Sequence, residues 1–390
     1  MGASGRGMRA AAAIVLVAAA LLAGCAAERP APTTSPTPIP TRTETPTPTP
    51  VDPVERLSLE ERVGQLFMVG TSVDGADPTT LAAVADRHVG GVFLHGRSSA
   101  GAAVTAQLVA QFTSAHDPAS PRLWVATDQE GGDVQVLSGE GFEPMPTALT
   151  SAQRDDATLR ADAARWGSQL VAAGVDMNLA PVADIVTSPE TARDNKPIGI
   201  YNREYGFDEA TVAAKAGAFA QGMRDAGVLP TLKHFPGLGR VTGNTDYAAD
   251  VVDTVVGADS PDVSVYRTLL PQGPAVVMMA TAVYQRIDPS APAAFSAPVV
   301  TGLLREALGF DGVVMTDDLS ATAQVARWAP ADRAILAIDA GVDLLLVSAD
   351  PSVLPEMYDA VLARAHADPG FAAKVDAAAG RILDLKSTFP

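Results

Sequence analysis

At 390 residues and 47% hydrophobic content the chain can bury a large core, and its length suits one big α/β domain or two smaller ones. A formal net charge of −17 repels phosphate backbones and anionic lipid headgroups, which argues against nucleic acid as a partner. Cys25 is the only cysteine, so no internal disulfide forms.

Arg6 and Arg9 precede an apolar stretch from Ala10 to Leu22, too short and Ala-rich for a spanning helix but suited to a secretory signal. The stretch ends in LAGC. That ending resembles the bacterial lipobox, in which the peptide is cut before the cysteine and the thiol is acylated; an ordinary signal peptide with an unrelated cysteine is the alternative. Residues 30–53 hold nine Pro and eight Thr among 24 positions, a composition that cannot build a core and favours polyproline II. At ~3.1 Å per residue such a tether spans roughly 75 Å; a mucin-like glycosylated stalk has the same mechanical consequence. The expected organisation is a lipoprotein signal over 1–24, a lipidated Cys25 and tether over 25–55, and one folded domain over 56–390. The chain is expected at the outer face of a bacterial cytoplasmic membrane.

From about Leu57 onward, apolar runs alternate with Ala-rich amphipathic segments. The runs are QLFMVG (65–70), GGVFLHG (90–96), LWVATDQEGG (123–132), MNLAPVADI (177–185), LPTLKHFPG (229–237), AVVMMATAV (275–283), GVVMTDDLS (312–320) and DLLLVSAD (343–350). Each is short and continuous enough for a strand buried on both faces, as parallel sheets require. Helical candidates over 77–89, 100–115, 155–175, 208–228 and 298–309 lie between them, several opening on Asp or Ser and stopping at Gly. Eight strands separated by helices predict a (β/α)8 TIM-like barrel; an open doubly wound sheet is the alternative, because periodicity cannot report closure.

Charged residues gather at the C-terminal ends of the runs: Asp128 and Glu130, Asp184, Lys233 and His234, and Asp317 and Asp318. In a barrel those ends meet at the active-site mouth. A carboxylate at the end of a buried strand is held rigidly and partly desolvated, as a nucleophile or an acid with a displaced pKa needs. Of the adjacent pair, Asp318 is expected to cap a helix beginning near Leu319, leaving Asp317 to face the mouth. Lys233 and His234 are adjacent on a strand, so alternation points them to opposite faces and only one need line the pocket, and a structural ion pair with Asp184 or Asp128 competes with a binding role.

The motifs ATDQEGG, NLAPVADI, LKHFPGLGR, VVMTDDLS and AGVDLLLV, in that order and spacing, resemble family 3 glycoside hydrolases, specifically the single-domain β-N-acetylhexosaminidases of the NagZ type, over roughly residues 57–387. The resemblance implies retaining hydrolysis through a covalent glycosyl-enzyme. It makes Asp317 the nucleophile and Asp128, Arg203, Lys233 and His234 the ligands of the terminal sugar, and N-acetylglucosamine in cell-wall fragments the substrate. Family members supply their acid/base from a loop after the fifth strand through an Asp and a His two residues apart, where this chain has Asn244 and Asp246. Three accounts stay open at this point: Asp246 is itself the acid/base; the loop is repositioned and Asp250 serves; or protonation is lost and the domain only binds sugar. Gly237, Gly239 and Gly243 are read as hinges of a closing lid.

Asp133 and Val136 stand where relatives carry Arg, Leu238 stands where many have His, and Lys233, Arg240 and Arg203 would serve an anion site if phosphate were the acceptor. A β-glycosidase of different sugar preference is a further alternative. No cofactor and no metal are expected, since the histidines lack paired spacing and KHFPGLGRVTG fits neither a phosphate loop nor a dinucleotide fingerprint. The partners expected are a carbohydrate and, through Cys25, a membrane, with the chain acting as a monomer.

Overall fold

The computed structural model describes residues 53–389 and the isolated Thr33. The signal segment, Cys25 and all of the tether before Pro53 lie outside the described residues, apart from Thr33. A 3-10 turn over Pro53–Arg56 precedes helix α1, Leu59–Gln65.

All eight predicted runs form strands: β1 Phe67–Ser72, β2 Gly91–His95, β3 Trp124–Thr127, β4 Met177–Asn178, β5 Leu229–Phe235, β6 Val276–Met279, β7 Val314–Thr316 and β8 Leu345–Val347. Each is parallel to its neighbours in chain order, from β1–β2 through β6–β7, and β8 returns to β1 with Phe67 opposite Leu345. The remaining gap is crossed by a parallel bridge between Met315 and Leu344. An open sheet would leave two unpaired edges, so this bridge decides for the (β/α)8 barrel. The run at 177–185 keeps only two residues in its strand because Pro181 has no N–H for the ladder; Val182 still bridges to Lys233.

The helices follow from their caps. Asp77, Asp155 and Asp208 accept hydrogen bonds from backbone amides of the first turns of α2 (Pro78–Arg87), α4 (Asp156–Ala172) and α5 (Glu209–Asp225), which satisfies donors that a helix start otherwise leaves orphaned. Left-handed Gly174 and Gly227 follow α4 and α5. The outer ring continues with α3 (Ala102–Ala115), α6 (Pro261–Leu269), a π-type α7 (Pro298–Ala307), α8 (Pro330–Ala340), α9 (Leu354–Ala367) and α10 (Pro369–Thr388). Strand residues such as Met68, Val92, Val125, Val277 and Leu345 are buried in the core these helices enclose.

Candidate active site

Three residues past β3, Glu130 is buried and accepts from Arg203 at 2.8 and 2.7 Å and from Lys233 at 2.6 Å. Asp128 shares its face, since alternate residues point the same way, and accepts from Lys233 Nζ at 2.6 Å. Gln129, between them, turns outward to bond the backbone of Leu137. The amide of Asn178, at the end of β4, bonds both backbone groups of Gln129 at 3.0 Å, so the strand end is fixed from two sides. Burial alone would raise the Glu130 carboxyl, but Arg203 and Lys233 pull it down to about 2. Burial likewise opposes the charge on Lys233 and Arg203, and their carboxylate partners nevertheless hold both above their ordinary values.

Asp184 is fully buried and accepts from His234 Nδ1 at 2.8 Å, from His234 N at 3.2 Å and from Leu238 N at 2.7 Å. It therefore orients the imidazole and anchors the start of the loop after β5 together. Both Lys233 and His234 line the cavity, where alternation along a strand required only one of them to do so. The pairing of β5 with β6 slips between Lys233 and Phe235, and a bulge of this kind breaks the alternation of side chains. A hydrogen bond to a carboxylate and pocket lining, expected as rivals, hold for both residues.

Asp317 follows β7 and accepts from Asp318 N at 2.8 Å. Burial raises its carboxyl, while His234, that N–H and Lys233 favour its anion. The expected helix near Leu319 is absent; the chain makes a turn there, because the Asp318 carboxylate is taken by Ser320 N, Ser320 Oγ, Ala321 N and Ser348 N of the strand-end loop after β8. Asp318 thus caps a turn and ties β7 to β8 while also lining the cavity.

Asp246 sits on the loop after β5. Its carboxylate accepts no hydrogen bond among the described residues, whereas its N–H donates to Asn244 Oδ1 at 2.9 Å. Although the residue is exposed at the surface, burial of its carboxyl against the cavity, followed by repulsion from Asp317, pushes it up to about 6, with Arg203 and His234 opposing.

The cavity of about 350 Å³ is lined by Asp128, Arg203, Lys233, His234, Asp246 and Asp317, together with Asn244, Tyr247, Asp318 and Ser348. All six residues singled out from the sequence therefore meet in one place. Asp250 does not; it is exposed, 4.0 Å from Arg327. Arg240 is engaged by Asp262 at 3.1 and 3.0 Å, and Lys233 and Arg203 are engaged by Asp128 and Glu130, so none of the three is a free anion site. Among the described residues no group of three or more His, Cys, Asp or Glu is placed to hold a metal ion.

The glycines of the loop also differ from expectation. A Cβ on Gly239 would stand 2.0 Å from Ile185 O, and one on Gly237, at φ 143, would stand 3.1 Å from Asp262 Cβ. Close packing is enough to require glycine at both positions.

Sequence reasoning placed Glu130 at the barrel mouth beside Asp128 but gave it no role; the structure shows it as the carboxylate that pairs with Arg203 and Lys233. Gln324 was missed altogether. That buried side chain accepts from Val251 N at 2.7 Å and donates to Val251 O at 3.2 Å.

A (β/α)8 barrel that opens on two carboxylates beside a ring of paired cations is built as a glycoside hydrolase. The chain belongs to glycosyl hydrolase family 3: residues 58–385 match the family model described as Glycosyl hydrolase family 3 N terminal domain. It is 35% identical over 347 residues to Beta-hexosaminidase LpqI of Mycobacterium tuberculosis (strain ATCC 25618 / H37Rv), covering 86% of this chain and 84% of the relative. It is 36% identical over 307 residues to a Beta-hexosaminidase of Xylella fastidiosa (strain 9a5c), covering 74% and 86%. The crystal structure of Beta-N-acetylhexosaminidase from Beutenbergia cavernae DSM 12333 superposes with a TM-score of 0.84 at 57% identity, over 85% of this chain and 99% of that one. The family expected from the motifs is borne out.

Proposed function

We propose that this protein is a retaining exo-β-N-acetylglucosaminidase that removes terminal N-acetylglucosamine from cell-wall-derived glycans. One observation carries the mechanism: Asp317 at the end of β7 and Asp246 on the loop after β5 face a single cavity, and the Asp246 carboxyl is pushed up to about 6. The names of the relatives support the sugar.

An Asp317 carboxylate oxygen attacks the anomeric carbon and the bond to the leaving oxygen breaks. The Asp246 proton moves to that oxygen, giving a free alcohol and a glycosyl ester on Asp317. Asp246, now a carboxylate, takes a proton from water; the hydroxide equivalent attacks the same carbon, and the ester C–O bond breaks to restore Asp317 and release the sugar with retained configuration. Asp128, Arg203, Lys233 and His234 hold the sugar hydroxyls. Each of these charged groups is already fixed by a partner, so little ordering entropy is lost on binding.

We read the N-terminal sequence as a lipoprotein signal that leaves Cys25 acylated and the barrel tethered as a monomer at the outer face of the membrane, with a role in peptidoglycan turnover. Cys25→Ser is expected to release the chain from the membrane fraction, and retention of that variant would refute the anchor.

The test of the activity is hydrolysis of a chromogenic N-acetyl-β-glucosaminide. Turnover is expected to fall at least about a thousandfold in Asp317→Asn, and a fluorosugar adduct is expected on Asp317 by mass spectrometry. An adduct on another residue, or product of inverted configuration, would overturn the mechanism.

A further inference from the structure

Tyr247 exposes 84% of its surface, while no other exposed large apolar side chain among the described residues exceeds 49%. It directly follows Asp246 and lines the same cavity. Its backbone is fixed. Tyr247 N and Ala248 N donate to Asn244 O at 3.1 and 2.9 Å, and Ala323 N and Gln324 N of the loop after β7 donate to Asp246 O and Thr245 O at 3.2 and 3.1 Å. An uncovered aromatic ring on a pinned backbone offers a broad apolar face and gives up little freedom when it is covered.

An acid that protonates a leaving oxygen lies within hydrogen-bond reach of it. Whatever is attached to that oxygen therefore runs past the residue beside the acid. A pyranose presents an apolar face of C–H groups, the complement of a tyrosine ring, and its hydroxyls stay in water at the rim. We propose that Tyr247 is the platform of a leaving-group subsite, stacking on the apolar face of the sugar that is released. This assignment rests on Asp246 being the acid/base. It selects glycan substrates over small alkyl or aryl glycosides by binding the part of the substrate that does not react.

The test compares two substrates with equal demand for protonation, the β-1,4-linked disaccharide of N-acetylglucosamine and its methyl N-acetyl-β-glucosaminide, with a 2,4-dinitrophenyl glycoside as a third that needs little acid. In Tyr247→Ala the ratio of kcat/KM for the disaccharide to that for the methyl glycoside is expected to fall about fivefold, mainly through KM, and Tyr247→Trp is expected to keep it. An unchanged ratio in Tyr247→Ala, including an equal loss on both substrates, would overturn the subsite and leave Tyr247 only a support for Asp246. Asp246→Ala reports on the other reading: losses on both alkyl glycosides with the dinitrophenyl glycoside spared support the acid/base, and no selective loss overturns that reading whatever Tyr247 does.

Discussion

Asp246 stands where the family resemblance leads one to expect a histidine, and its surroundings show how a carboxyl can take the same task. A carboxyl in water is ionised at neutral pH and donates no proton; burial and the neighbouring Asp317 charge move this one up to about 6, near the range where an acid is both protonated and ready to give the proton up. Asp317 has one thing Asp246 lacks, a backbone N–H at 2.8 Å that favours its anion against the burial that raises it. The sign follows directly. With Asp246 as the proposed acid, its protonation precedes the first step, so kcat/KM toward an alkyl glycoside is expected to decline as pH rises through about 6. Asp246→Ala is expected to lower that kcat/KM by about a hundred- to ten-thousandfold and to abolish the decline. A pH profile of the variant that keeps the wild-type limb would assign the limb to another group. Asp128, Lys233 and Asp317 were legible because a charge at the end of an apolar run has few places to go except the barrel mouth. The choice among accounts of Asp246 was not, because a pKa depends on neighbours that the chain brings together only when folded.

At the scale of elements, the strands and capped helices were legible for local reasons: Asp77, Asp155 and Asp208 each satisfy amides two or three residues onward. The docking of the loop after β5 was not, since Gln324 lies 73 residues from the Val251 backbone it grips. The same distance hid the role of the loop glycines, which pack against Ile185 and Asp262. Four hydrogen bonds, two from the Gln324 side chain and two from the backbone of Ala323 and Gln324, make the loop carrying Asp246 one unit with the segment that follows Asp317. The loop is held in position before substrate arrives. Gln324→Ala leaves the buried N–H of Val251 without a partner, at a cost of about 1–3 kcal/mol when desolvated, while Val251 O keeps its bond from Val283 N at 3.1 Å; the loop relaxes to regain the lost bond from water. A displacement of about 1 Å can lower a rate about a hundredfold. The expected outcome is a kcat loss of that order toward the methyl glycoside, with little loss on the dinitrophenyl glycoside, whose leaving group needs no acid. Equal losses on both would mean that Gln324 acts on Asp317 or on overall folding.

Across the whole molecule the ring of strands is fastened where β7 and β8 meet by a single bridge. Just before β8 the buried Asp343 accepts from Val314 N at 2.8 Å and pairs with Arg305 of α7 at 2.6 Å and Arg381 of α10 at 2.9 Å. That charge is compensated on every side. Glu204 is the opposite case: it has no exposed surface, and neither carboxyl oxygen has a hydrogen-bond partner among the described residues. Burial pushes its carboxyl from 4.5 to about 7. Between those values the folded chain keeps a proton that the unfolded chain releases, so stability falls as pH rises across the window and the full penalty is present above it. For a shift from 4.5 to about 7 the penalty is roughly 3 kcal/mol. Glu204→Gln cannot ionise. Chemical denaturation at about pH 5 and about pH 8 is therefore expected to show the wild type losing stability relative to the variant by roughly that amount at the higher pH. A difference between the two proteins that does not change with pH would mean that Glu204 is already ionised in the folded chain throughout the range, and that any loss belongs to another buried acid.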